Sequence, residues 1–178
     1  MRNLKDEQVT ALLDEVWGKA ADASADLQST IARYKKVYAE APRWAFSTAA
    51  GRETFQQLCA TCHTYDGQGG KLGPDLTGSW RNGLDYFIEN IVDPNAVVGA
   101  DFQLNLIKKR DGSVVAGMIE RETATALVVR TATETVNVPK DQVVGREISP
   151  QSLMPGGLLQ ALPDRQVIEL LMFLTDKG

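Results

Sequence analysis

Cys59-Ala60-Thr61-Cys62-His63 constrains this chain more than any other stretch, because its two cysteines and one histidine are the only ones in 178 residues. Three apart, the thiols share one face of a helical turn, and the histidine follows at once. The arrangement suits one porphyrin: the thiols add to its two vinyl groups and the imidazole turns to the iron. Rival uses of the motif are poorly supplied. A structural zinc site lacks a fourth Cys or His ligand, and a thioredoxin-like pair wants a preceding strand and no dedicated histidine. The expectation is one covalent haem c per chain, held by Cys59 and Cys62 with His63 on the iron.

With a single histidine, ligation by two histidines of one chain is excluded. The sixth position falls to Met, Lys, Tyr, the amino terminus, water or nothing. Among Met1, Met118, Met154 and Met172, Met118 lies in an expected strand and Met172 in an expected helix beside Leu171, both packing contexts. Met154 stands in Ser152-Leu-Met-Pro-Gly-Gly157, where proline and glycines let the backbone approach a flat cofactor, and is the candidate ligand. A thioether there saturates the iron and suits electron transfer. An open or labile position suits a haem sensor or a peroxidase-like protein, and carbon monoxide binding separates the two. No second histidine can act as a base and no triad signature is present, so no catalytic residue is assigned.

Residues 6–20 place Val9, Leu12, Leu13, Val16 and Trp17 at helical spacing, and residues 25–39 do so with Leu27, Ile31, Tyr34, Val37 and Tyr38. Pro42 interrupts the second pattern. A third helix is predicted from Thr48 into Cys62, with Phe55, Leu58 and Cys59 on one face. The loop from Asp66 to Pro74 is rich in glycine, but Leu72 stands where a dinucleotide fingerprint needs its third glycine, so that reading is dismissed. Leu84–Val92 is predicted as a helix ended by Asp93-Pro94.

From Asp101 the period becomes strand-like, with Phe102, Leu104 and Leu106 alternating with Gln103 and Asn105. Asp111-Gly112 signals a hairpin into Val114–Glu120, and β-rich runs follow at Ala126–Arg130, Thr135–Val138 and Gln142–Val144. A meander or small barrel over 101–148 follows from these. This unit is either cover for the haem or a docking module for a redox partner or a second copy in a homodimer; cover is the favoured reading. Helix returns at Arg165–Leu174, its apolar face Val167, Leu170, Leu171 and Leu174, with Pro163 and Asp164 suited to its start.

An apolar fraction of 43% can bury a core, and the longest apolar run, Leu170–Leu174, is far short of a membrane span. The net charge of −4 has its acidic excess in 51–100 and 151–178, the haem-bearing segments. That bias argues against nucleic acid or an anionic membrane as partner. The first seven residues lack the apolar core of an export signal. Covalent haem attachment is normally extracytoplasmic, so a periplasmic or similar location is expected, with the signal outside this sequence.

Gly51-Arg-x-x-Phe55, Cys59–His63, Gly69-Gly70-x-x-Gly-Pro-Asp-Leu-Thr-Gly78, Leu84-Asp-Tyr, Ile91-Val-Asp-Pro94 and Leu153-Met-Pro155 together resemble class I cytochromes c. More narrowly, the chain resembles the haem-binding domain that ends many large dehydrogenase-like proteins of planctomycete and verrucomicrobial bacteria, over about residues 50–176. The resemblance implies a mainly α cytochrome c fold with a β-rich insertion and two extra N-terminal helices. The corresponding divisions are 1–45 for the helical extension, 46–100 with 149–178 for the cytochrome c domain, and 101–148 for the insertion. Setting the insertion aside brings Met154 within a loop-and-helix distance of His63. The resemblance also implies that Pro74 offers its carbonyl to His63 Nδ1–H, fixing the tautomer. Trp80 and Arg81 would hydrogen-bond a propionate, the plainer alternative being a packed Trp and a solvated Arg. The function implied is electron transfer, as a carrier or as the haem domain of a larger dehydrogenase, with redox proteins as partners.

Overall fold

In the first described helix, α1 (Ala25–Glu40), Ile31, Tyr34 and Tyr38 fall on one face and are buried, as their spacing requires. The computed structural model describes residues 25–149 and 151–176; the expected helix over 6–20 and Met1 lie outside them. Pro42 follows α1, and a 3₁₀ turn at Arg43–Ala45 leads to Ser47. Ser47 caps α2 (Thr48–Leu58), its hydroxyl accepting from the Ala50 amide at 3.3 Å. The helix α3 spans Gly83–Val92, and α4 spans Asp164–Thr175.

The four helices share one core. Ile31, Tyr34 and Tyr38 of α1, Phe55 of α2, Phe87, Ile88, Ile91 and Val92 of α3, and Val167, Leu170, Leu171 and Leu174 of α4 are all buried in it. Helices α2 and α4 cross closely because residue 51 is glycine: a Cβ there would run into the Glu169 carbonyl and lie 2.9 Å from Phe173 Cβ. Around the crossing, Phe55, Tyr65 and Phe173 form an aromatic cluster with ring centroids 4.8–5.6 Å apart. Glu169 is buried and accepts from the Ser47 amide at 3.3 Å and from Arg165 Nε at 3.2 Å, so the cap of α2 is tied to α4. Arg33 pairs with Asp164 at 2.7 Å and Lys35 with Glu89 at 2.8 Å, pinning α1 to α4 and α3.

A two-stranded ribbon, β1 (Thr64–Tyr65) and β2 (Gln68–Gly69), follows the cysteine motif. The second sheet comprises β3 (Asn105–Lys109), β4 (Val114–Glu122), β5 (Ala126–Arg130), β6 (Thr135–Pro139) and β7 (Val143–Ile148), all neighbours antiparallel in the order β6-β5-β4-β3-β7. Laid flat, the two edge strands would be about 19 Å apart at ordinary strand spacing. Only the 3₁₀ turn Lys140–Gln142 joins them, so the sheet must curl toward a small barrel, here called the barrel, whose edges β6 and β7 are not paired with each other. Register shifts at Lys108/Lys109 and Ile119/Arg121 supply local bends. Its own core is Ile107, Leu127, Val129 and Val138, separate from that of the helices.

Two expectations are corrected. Helix α2 stops at Leu58, short of the predicted Cys62, because the Ala60 amide shares the Phe55 carbonyl with that of Cys59, and the Cys62 and His63 amides close a separate turn on the Cys59 carbonyl. With the helix ended, Leu58 is exposed, off the apolar face assigned to it. In β3 the buried face is Asn105 and Ile107, not Leu104 and Leu106. Burying Asn105 is tolerable because its amide donates to the Gln103 carbonyl at 2.9 Å and its oxygen accepts from Arg146 at 2.8 Å.

Candidate functional site

Past α2 the chain makes one further turn, and this turn carries the motif. The Cys62 and His63 amides both donate to the Cys59 carbonyl, at 3.0 and 2.9 Å. The turn places Cys59, Cys62 and His63 together at the end of α2, all three half-buried, with both thiols free. Burial pushes the Cys59 thiol up to about 11, so at neutral pH it is protonated and uncharged.

The glycine loop folds back against this turn. The Gly70 amide donates to Ala60 O and the Gly73 amide to Cys62 O, each at 2.7 Å, and the Thr64 hydroxyl donates to Gly70 O at 2.8 Å. Residue 73 must be glycine, since a Cβ there would collide with the His63 imidazole. The next carbonyl, that of Pro74, lies 2.9 Å from His63 Nδ1. A carbonyl can only accept, so Nδ1 carries the hydrogen and Nε2 presents a lone pair. The tautomer is thus fixed for binding a metal through Nε2.

The other sequence-derived residues are placed as follows. Trp80 and Arg81 lie in the 3₁₀ turn Ser79–Asn82, with the guanidinium 4.6 Å from the indole ring and Arg81 exposed. Arg81 also reaches the Gly78 carbonyl at 3.4 Å. Met154 is half-buried and packs against the helical core, as do Cys59, Leu76, Leu84 and Leu158. Its amide donates to Ser152 Oγ at 3.1 Å, and the Ser152 amide donates to Asn95 Oδ1 at 2.7 Å, anchoring the loop just beyond α3. Met118 is buried on β4, whereas Met172 is half-buried beside Tyr38, Arg43 and Thr48. Among the described residues no group of three or more His, Cys, Asp or Glu side chains gathers as a metal site.

Two thiols and one imidazole with a fixed tautomer, carried on one half-buried turn, fit a covalently attached haem. Comparison with known families agrees. Residues 48–103 match the Cytochrome c family. The matched segment takes in α2, the motif, the glycine loop and α3, and stops as the barrel begins. Haem-based electron transfer is the general activity this supports, and covalently bound haem c is the cofactor the family implies. No curated protein matches the chain. No helix among the described residues is long and apolar enough to cross a membrane. The role of Gly73 was not read from the sequence, where the loop's glycines were weighed as a nucleotide fingerprint and as part of the family resemblance; their closeness to the motif was the available signal.

Proposed function

We propose that this chain carries single electrons on one haem c, with His63 and Met154 as the axial ligands, and is not itself an enzyme. The observation that carries the reading is the 2.9 Å contact between His63 Nδ1 and the Pro74 carbonyl, with Gly73 leaving room for the ring. Both are arrangements a metal-binding imidazole needs and a merely packed histidine does not.

When bound, haem c supplies an iron that alternates between ferric and ferrous states. Cys59 and Cys62 would hold it by thioether bonds, and His63 would offer Nε2. Pro74 keeps the proton on Nδ1 and raises the basicity of the ring. The Met154 thioether completes the ligand set, its loop secured through Ser152 and Asn95. Trp80 and Arg81 donate to a propionate from their shared turn. The helical core and the double hold on the glycine loop keep these groups in place in both oxidation states, so little reorganises when an electron moves.

The chain acts as a carrier or as the haem domain of a larger dehydrogenase-like protein outside the cytoplasm, exchanging electrons with redox proteins. Residues 101–148 are an insertion in the cytochrome domain formed by 46–100 and 149–178. The ligand set is tested in the oxidised protein: the weak near-red sulfur-to-iron band is present in wild type and absent in Met154→Ala, and reduced wild type does not bind carbon monoxide at neutral pH. A band that survives in Met154→Ala, or ready carbon monoxide binding by wild type, overturns the Met154 assignment in favour of a sensor or peroxidase-like protein.

A further inference from the structure

Arg130 joins the barrel to the loop that holds the histidine. It lies on β5, where Nη1 donates to the Lys71 carbonyl at 2.7 Å and Nη2 pairs with Glu120 of β4 at 3.0 Å. Its side chain is 29% exposed, so the guanidinium sits largely against protein. Lys71 lies between Gly70 and Gly73, whose amides are tied to the motif turn. The loop is therefore gripped from both sides, by the motif through its amides and by the barrel through a carbonyl. Pro74 follows three residues after Lys71.

We propose that Arg130 is a positioning residue for the iron ligand: its hold on the Lys71 carbonyl keeps the Pro74 carbonyl on His63 Nδ1 and so sets the basicity of that imidazole. The inference rests on the haem reading above. A loop with so many glycines has much conformational freedom to lose, and few of its side chains can anchor it. A charge-assisted bond from a guanidinium oriented by Glu120 is the stronger kind of restraint. Without it the loop opens more often, the Nδ1–H···O bond weakens, and the imidazole donates less to the iron. Weaker donation favours the ferrous state.

The test uses the haem-loaded full chain and reads two quantities, amide hydrogen exchange at Gly73 and the reduction potential. In Arg130→Ala the Gly73 amide exchanges about tenfold faster, as expected for loss of one such bond, and the potential rises. Arg130→Lys, which keeps a donor, falls between that variant and wild type. Lys108→Ala is the control: it removes a cation from the same barrel, but an exposed one paired with Glu147 at 3.7 Å within it, and both readouts stay at wild-type values. Arg130→Gln replaces Arg130→Ala if the latter does not fold. Unmoved exchange and potential in the Arg130 variants, or equal shifts in Lys108→Ala, overturn the proposal while haem binding stands. Failure of the wild-type chain to take up covalent haem overturns the functional reading and this proposal with it.

Discussion

At the scale of single residues, the site depends as much on what is missing at position 73 as on the histidine beside it. Replacing Gly73 with Ala drives a methyl group into the imidazole, so the ring or the loop must move. The expected outcome is a loss of stability of about 1–3 kcal/mol, measured by thermal melting, together with a disturbed visible spectrum of the haem-loaded protein. An unchanged spectrum would mean that the ring is not held where the Pro74 carbonyl meets it. Met172→Ala should leave the spectrum alone and cost less than about 2 kcal/mol, because its side chain is half-buried and leaves no closed cavity. The motif cysteines and His63 were legible from residue type and spacing alone. Gly73 was not, because a glycine's need for space appears only once the side chain it must avoid has been placed.

At the scale of elements, the helices were legible because their apolar residues recur on one face, and α1, α3 and α4 lie within a residue or so of their predicted bounds. The end of α2 was not, since the ladder breaks where the Ala60 amide takes the Phe55 carbonyl, and the glycine loop then holds the turn beyond it from ten residues downstream. The face of β3 was misread for a similar reason: Asn105 can be buried only because Arg146, far along the chain, satisfies it. Gly51→Ala tests the crossing of α2 and α4. Its Cβ meets backbone of Glu169, not a flexible side-chain tip, so the variant should melt lower by an amount corresponding to about 1–3 kcal/mol. The β3–β4 hairpin is acid-sensitive by a separate device. The Ser113 hydroxyl and amide, with the Lys109 ammonium, hold the Asp111 carboxyl down to about 2, against an ordinary 3.8. Its contribution is complete above 3.8 and is lost as the pH falls through 2. Faster amide exchange at Ser113 in that window, absent in Asp111→Asn, is the expected result.

At the scale of the molecule, the helices and the barrel have separate cores, and the chain leaves and re-enters the helical body at neighbouring points. Asn95 precedes the barrel and Ser152 follows it, yet the two are hydrogen-bonded at 2.7 Å. Every buried residue of the helical core comes from outside 101–148. Excising 101–148 and joining the ends with a short linker should therefore leave a folded helical protein with a low-spin haem, its potential raised by the loss of Arg130. A folded deletion variant without the low-spin form would show that a ligand or a wall comes from the barrel, with Met118 the first residue to examine. The central claim, one covalent haem c that moves single electrons, is tested most directly by following the visible spectrum of the haem-loaded chain through a redox titration. The account predicts one reversible one-electron transition in a haem that stays with the polypeptide after acid–acetone extraction. A haem that extracts freely, or a spectrum that does not change reversibly with potential, would contradict it.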